Sequence, residues 1–236
     1  WWNPSAGLAW AESMGRQEHA GMCEPTVRLD ETTTARHHET VARADGFSGE
    51  RLRVLPLPLI ESALARPLTS RLLVTDCGYF PTAAEHERSR PNGCQQTIVI
   101  ICTEGRGWCR LPSGQHRVQP GQALVIPAGV RHVYGADDAD PWTIWWLHAT
   151  GSDVPDLIRA AHVDIDRPII SVGDLYQAVS LVNDSLQRME HDETVPSLQA
   201  AAGSAWHLLA LLAADQIHGP ATQGDMIRQA QQYLRE

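Results

Sequence analysis

The sequence contains no lysine. All nineteen of its basic residues are arginine, they face twenty-eight Asp and Glu, and the formal charge is -9. No basic cluster interrupts this acidic balance, whereas a nucleic-acid binder neutralises phosphate with such a cluster. Tight DNA binding by this chain alone is therefore not expected. No C-x-x-C pair occurs among Cys23, Cys77, Cys94, Cys102 and Cys109, and their number is odd. That argues against a disulfide framework and against a zinc site, and leaves buried thiols in a reducing cytoplasm as the expectation. No apolar run approaches the roughly 20 residues needed to span a bilayer. The opening Trp1-Trp2-Asn3-Pro4 is neither an initiator methionine nor a signal peptide, so a processed, cut or mis-started product is expected.

What is present is enough for a core: 236 residues, 43% of them hydrophobic. Residues 1–50 lack periodicity and read as a poorly ordered extension, in which His37-His38 is a solvated pair rather than a metal site. Prolines 56, 58 and 67 make 51–70 an extended arm with one helical turn near 60–65. Short strands are predicted over 71–75, 97–102, 108–111, 116–118, 123–126, 131–134 and 142–148, broken by Gly and Pro. Pro112-Ser113-Gly114 closes a hairpin. Regular short strands of this kind describe a small barrel or sandwich. Beyond Gly151, Leu175, Val179, Val182, Leu186 and Met189 recur at four- and three-residue steps and lay an apolar seam along a helix. A second, more uniformly apolar helix runs over 197–217 and ends at Gly219-Pro220. Asp225 caps a third amphipathic segment, which stops in mid-pattern.

The stretch Gly121-Gln122-Ala123-Leu124-Val125-Ile126-Pro127-Ala128-Gly129-Val130-Arg131-His132 fits G-x5-P-x-G-x2-H. Gly121 opens a tight turn, 123–126 is a buried strand, Pro127 and Gly129 bend the chain, and His132 points back into the barrel mouth. The pattern resembles the second signature of the cupins. In metal-dependent cupins the first signature supplies an H-x-H pair. The corresponding run here is Cys94 to Glu104, with Val99 and Ile101 at the two histidine places. Aliphatic side chains have no lone pair to give a metal, and His132 alone cannot hold one.

Several motifs together resemble the sensing domain of the AraC family of transcription regulators across 71–151. They are Val74-Thr75-Asp76-Cys77-Gly78-Tyr79-Phe80-Pro81, Arg90-Pro91, Gly105-Arg106-Gly107, Pro120-Gly121, Ile126-Pro127, His132-Val133-Tyr134-Gly135 and Pro141-Trp142. The resemblance implies a mainly β fold: a cupin-type double-stranded β-barrel (jelly roll) over 71–151, then an α-helical dimerisation pair over 152–220. It also implies that 221–236 begin a helix-turn-helix half that lies outside this chain. The barrel would bind a small effector, a sugar in the family's type member, and the chain would form a homodimer. Arg90 matches the family's sugar-contacting arginine, Tyr134 a tyrosine of the pocket and Trp146 a tryptophan stacking on the sugar ring. His132, Trp142 and Phe80 complete the expected ligand-binding set. Ile144 stands where the type member has a pocket histidine, which puts arabinose itself in doubt.

No catalytic residue, metal or cofactor is expected, and DNA would be contacted only through the missing half. On the strand over 142–148, alternation lets Trp142, Ile144, Trp146 and His148 share one face, with Trp145 opposite. These aromatics also read as plain barrel core, and the helical seam as packing on the barrel rather than on a second subunit. Two further readings stand beside the regulator: a metal-dependent cupin enzyme using His86, His116, His132 and His148, and a dimerisation module with no effector. In the regulator reading, effector binding orders the 51–70 arm over the barrel mouth.

Overall fold

The computed structural model describes residues 42–218. The expectations for 1–41 and 219–236, including the segment capped by Asp225, lie outside the described residues. In chain order the elements are β1 (Arg51–Val54), α1 (Leu57–Leu64), β2 (Leu73–Phe80), β3 (Glu87–Arg90), β4 (Thr97–Glu104), β5 (Gly107–Leu111), β6 (Gly114–Val118), β7 (Gln122–Ile126), β8 (His132–Ala136), β9 (Thr143–Thr150), α2 (Val154–Ala160), β10 (Ile169–Ser171), α3 (Leu175–His191) and α4 (Val195–His218). They form a six-stranded sheet, β1-β2-β9-β4-β7-β10, and a four-stranded sheet, β3-β8-β5-β6. All ladders are antiparallel. The fold is mainly β, a jelly-roll barrel followed by helices.

The large sheet is buried on both faces. Ile98, Ile100 and Cys102 of β4, Leu124 and Ile126 of β7, and Ile144 and Trp146 of β9 face the barrel interior. There they meet Cys109, Leu111, Tyr134 and Ala136 of the small sheet. Val99, Ile101, Val125, Leu147 and Ala149 face the other way, into a second core built with α3 and α4. A strand buried on both sides reads as one apolar run, which is why 97–102 shows no alternation. Val99 and Ile101, expected at the two histidine places and so on the barrel wall, instead line the helix-facing core, and Ile98, Ile100 and Cys102 form the inner wall. Because side chains alternate along a strand, a shift of one residue exchanges the faces. At the turns of the G-x5-P-x-G-x2-H stretch, Gly121 and Gly129 adopt φ of 79° and 78°, which favours glycine.

The 51–70 segment is not a free arm. Arg51 to Val54 pair with Tyr79 to Asp76, and α1 follows with its prolines at the cap and first turn, where no N–H is needed. Ala63 is buried and Leu59, Ile60 and Leu64 pack on the helix-side core. Arg51 also reaches α3, donating to Glu190 (Nη2–Oε2 2.5 Å, Nε–Oε1 3.1 Å) and to Asn183 (3.1 Å). The segment that lies across the barrel is 42–50, part of the expected extension. Arg43 and His86 form a parallel bridge, and Phe47, 5% exposed, packs its ring 5.0 Å from Phe80 and 5.4 Å from His86. The sheet also extends past 151, since β10 pairs with β7 from Ile169↔Leu124 to Ser171↔Gln122.

The seam of α3 is used inside the chain. Val182, Leu186 and Met189 are fully buried, and Leu175 and Val179 pack on the same core. Asp174 caps α3 by accepting from the Gln177 amide (2.9 Å), and the Ser185 hydroxyl donates to Ala201 O on α4 (3.2 Å). Within α4, Val195–Ile217 is long and apolar enough to cross a membrane, contrary to the expectation that no such run exists. Its row Leu198, Ala201, Ala205, Leu208, Leu209 and Leu212 is buried on the sheet and neighbouring helices, so it serves as a core helix.

Gly107 makes room for the buried Trp142: a Cβ there would stand 1.9 Å from the indole. Gly203, within α4, has nothing within 4 Å of the same position. Gly107→Ala is expected to cost roughly 1–3 kcal/mol through overpacking, and Gly203→Ala to add roughly 0.5–1 kcal/mol through helix propensity. Thermal unfolding reads both. A Gly107→Ala midpoint at or above that of the parent protein contradicts the close glycine–indole packing.

Candidate functional site

Between the sheets, at the barrel mouth, lies a cavity of about 330 Å³ of atom-free space, partly open to solvent. Its apolar wall is Phe80, Ile100, Ile144 and the ring of Trp146. Its polar wall is Arg88, Arg90, Tyr134, His86 and His148, and Ala44 of the crossing segment completes the lining. β3 explains the cationic side. It is a short edge strand, and alternation puts Arg88 and Arg90 on one face in line with His86 just before it. Arg90 Nη1 donates to Tyr134 Oη at 3.4 Å, and Arg88 sits 3.5 Å from Asp45 of the crossing segment.

His86 is 3% exposed, and its Nδ1 accepts from the Trp142 indole N–H at 3.2 Å. Burial, with the guanidiniums of Arg88 and Arg90 nearby, pushes its pKa down to about 3. The ring is thus neutral, and because an indole only donates, its one proton sits on Nε2. The pKa of His132 is also lowered, first by burial and also by Arg90, against the pull of the Val130 carbonyl at 2.7 Å. Burial keeps the Tyr134 phenol protonated against the opposing effect of Arg90. Asp76 lies beside the cavity. Burial disfavours its charge, but His148 Nδ1 (3.2 Å), Thr75 Oγ1 (2.7 Å) and the field of Arg90 outweigh it and lower its pKa. Two buried polar atoms, Trp146 Nε1 and His132 Nε2, have no hydrogen-bond partner among the described residues. Orphaned buried polar atoms call for an explanation such as a bound molecule.

Of the residues expected to bind ligand, the structure brings Arg90, Tyr134, Trp146 and Phe80 together on the cavity wall. His132 and Trp142 are not on it. His132 stacks on Tyr134 with ring centroids 5.8 Å apart, and Trp142 is fully buried with its N–H committed to His86. Trp142 therefore positions His86 and has no free face for a ligand. The four histidines of the metal reading do not converge: His116 is on β6, next to Ser113 (3.1 Å), away from the mouth. Among the described residues, no three His, Cys, Asp or Glu side chains are placed to hold one ion.

Residues 75–219, more than half of the chain, match the family model of the AraC-like ligand binding domain. The chain belongs to that family. A curated relative, the MmsAB operon regulatory protein of Pseudomonas aeruginosa, is 36% identical over 113 residues, 45% of this chain and 36% of that protein. The chain thus spans about a third of that relative's length. Among solved structures, KdgF from Halomonas sp. is 19% identical over 44% of this chain and 83% of its own (TM-score 0.28). A conserved Streptococcus pyogenes protein of unknown function is 13% identical over 55% and 99% (TM-score 0.30). A cupin superfamily protein from Desulfitobacterium hafniense is 11% identical over 52% and 95% (TM-score 0.26). At these scores the solved structures add nothing to the family match.

This AraC-like ligand binding domain carries cavity groups that have no counterpart in the expected ligand-binding set: Arg88 and Ala44 are new, and His86 and His148 entered only as metal candidates. The available signal was the spacing His86, Arg88, Arg90, which puts three cationic or donor side chains on one face of a strand too polar to be noticed.

The neutral, buried state of His86 makes stability depend on pH. An unfolded chain takes up a proton near pH 6.5 that the folded His86 refuses until about pH 3, so acidification in that interval favours unfolding. Between pH 6.5 and 5 the unfolding free energy is expected to fall by up to about 1.4 kcal/mol per pH unit from this group. His86→Gln, which keeps an acceptor for Trp142, removes that component of the slope. Denaturant titrations over this range check it, and equal slopes in both proteins contradict a buried neutral His86.

Proposed function

We propose that this domain senses a small effector in the barrel mouth and controls transcription through a helix-turn-helix half of the same protein. The observation that carries this reading is the cavity itself: an apolar wall facing a cationic one, with Trp146 on its lining and the indole N–H of that residue without a partner among the described residues. The family match and the regulator relative support it. The domain recognises and does not transform. The inner wall of β4 offers Ile98, Ile100 and Cys102 where a metal-dependent cupin needs histidines, and burial pushes the Cys102 thiol up to about 12. Four reduced cysteines among the described residues suit a cytoplasmic protein.

The switching element is 42–50 rather than 51–70. Ala44 lines the cavity, Asp45 pairs with Arg88, Phe47 packs on Phe80 and His86, and Arg43 pairs by main chain with Glu85 and Glu87. A ligand touching Arg88 and Ala44 favours the docked state of this segment and so supplies the differential affinity that signalling needs. A neutral sugar is the effector class that the family resemblance implies. The chain pairs with a second copy through the exposed face of α4, where Gly203, His207, Ala210, Ala214 and Ile217 stand. Sedimentation velocity reads that pairing: a dimer that Ala210→Arg converts to monomer is expected, and a monomeric parent protein refutes it.

A thermal-shift panel of sugars, polyols and small organic acids, repeated with chelator, tests the effector reading. A bound compound at 100 times its Kd adds about 2.7 kcal/mol, and it should also slow proteolysis at 42–50. No stabilisation by any compound, together with unchanged cleavage, rejects the reading.

A further inference from the structure

Resting on the effector reading, we propose that the cavity takes a small aliphatic carboxylate rather than a neutral sugar, bound through Arg90 and the indole N–H of Trp146. The lining is rich in donors, and its side-chain acceptors are the Tyr134 hydroxyl and histidine ring nitrogen. Arg88 and Arg90 bring two guanidiniums, and no Asp, Glu, Asn or Gln side chain is part of the wall. Arg88 has a distant partner in Asp45, whereas among the described residues no carboxylate pairs with Arg90, whose contact is the Tyr134 hydroxyl at 3.4 Å. Asp76, which feels the charge of Arg90, is already engaged by Thr75 and His148. A half-buried guanidinium whose contact is one phenol hydroxyl is best satisfied by a planar anion that accepts its fork of N–H groups.

The neutral groups point the same way. The Trp146 N–H is a buried donor without a partner, and an indole cannot accept. His86 has its Nδ1 occupied by Trp142 and presents its proton on Nε2. The orphaned acceptor among the described residues, His132 Nε2, belongs to a ring stacked on Tyr134 and off the wall. A sugar carries several hydroxyls that each donate as well as accept, and every hydroxyl buried without an acceptor weakens binding. A carboxylate only accepts. Opposite the guanidiniums, Ile100, Ile144 and Phe80 offer a surface for an alkyl chain and none for hydroxyls.

Calorimetric titration of the 236-residue chain with matched pairs tests this. The pairs are butyrate and butyramide, lactate and lactamide, and gluconate and glucose, each acid having nearly the skeleton of its neutral partner. The acid of at least one pair should bind about ten-fold or more tighter than its partner. Arg90→Gln should bring that acid down to its partner's affinity, and Arg88→Gln should produce a smaller loss, with circular dichroism reporting whether each variant is folded. If glucose or an amide binds as tightly as its acid, the carboxylate assignment is overturned while the effector reading stands. An acid preference that survives in folded Arg90→Gln overturns the role of Arg90. If no pair member binds, the carboxylate assignment falls, and the wider thermal-shift panel separately decides the effector reading.

Discussion

The burial of the six-stranded sheet on both faces is the constraint from which the rest of the structure follows. β4, β7 and β9 give one set of side chains to the barrel and the other to the helices, so neither core can shift without the other. Burying both faces removes far more apolar area from water than a one-sided sheet would, at about 25 cal/mol per Å². It also fixes register, because a slip of one residue would exchange Ile98, Ile100 and Cys102 for Val99 and Ile101. The cavity can be partly open and carry charge because this packed frame holds Trp146 and Ile144 from beneath.

The small sheet provides the chemistry. β3 and β8 pair from Glu87↔Gly135 to Arg90↔His132, so Arg90 meets Tyr134 at the mouth while the solvent-facing residues stay polar. Segment 42–50 covers this side through main-chain pairing and Phe47, and β1 fixes 51–54 to the large sheet on the other. Arg51 then ties that strand to α3 through Glu190 and Asn183. The mouth thus lies between a small covering segment and a strand anchored to the helices.

Much of this was legible in the sequence. The G-x5-P-x-G-x2-H stretch marks β7, its turn and the start of β8, and the seam from Leu175 to Met189 marks α3. Alternation along 142–148 separates Trp145 from Trp142 and Trp146. Other features were hidden for physical reasons. The apolar run of β4 has no period, so its inner and outer positions were exchanged. β3 has the residues ERSR with no hydrophobic signal at all. The prolines at 56 and 58 suggested an arm because a breaker inside a helix and a proline in its first turn look alike in sequence. Trp142 and His132 matched the family motif, but only coordinates reveal that one is committed to His86 and the other stacked on Tyr134.

The central claim is that a small molecule occupies the mouth and satisfies the orphaned indole there. Proton–nitrogen NMR of the tryptophan side chains measures this most directly, using the compound that stabilises the protein most. The Nε1–H signal of Trp146 should move downfield and become protected from exchange, while that of Trp142, already bonded to His86, stays in place. A saturating compound that leaves the Trp146 signal unchanged would contradict the account.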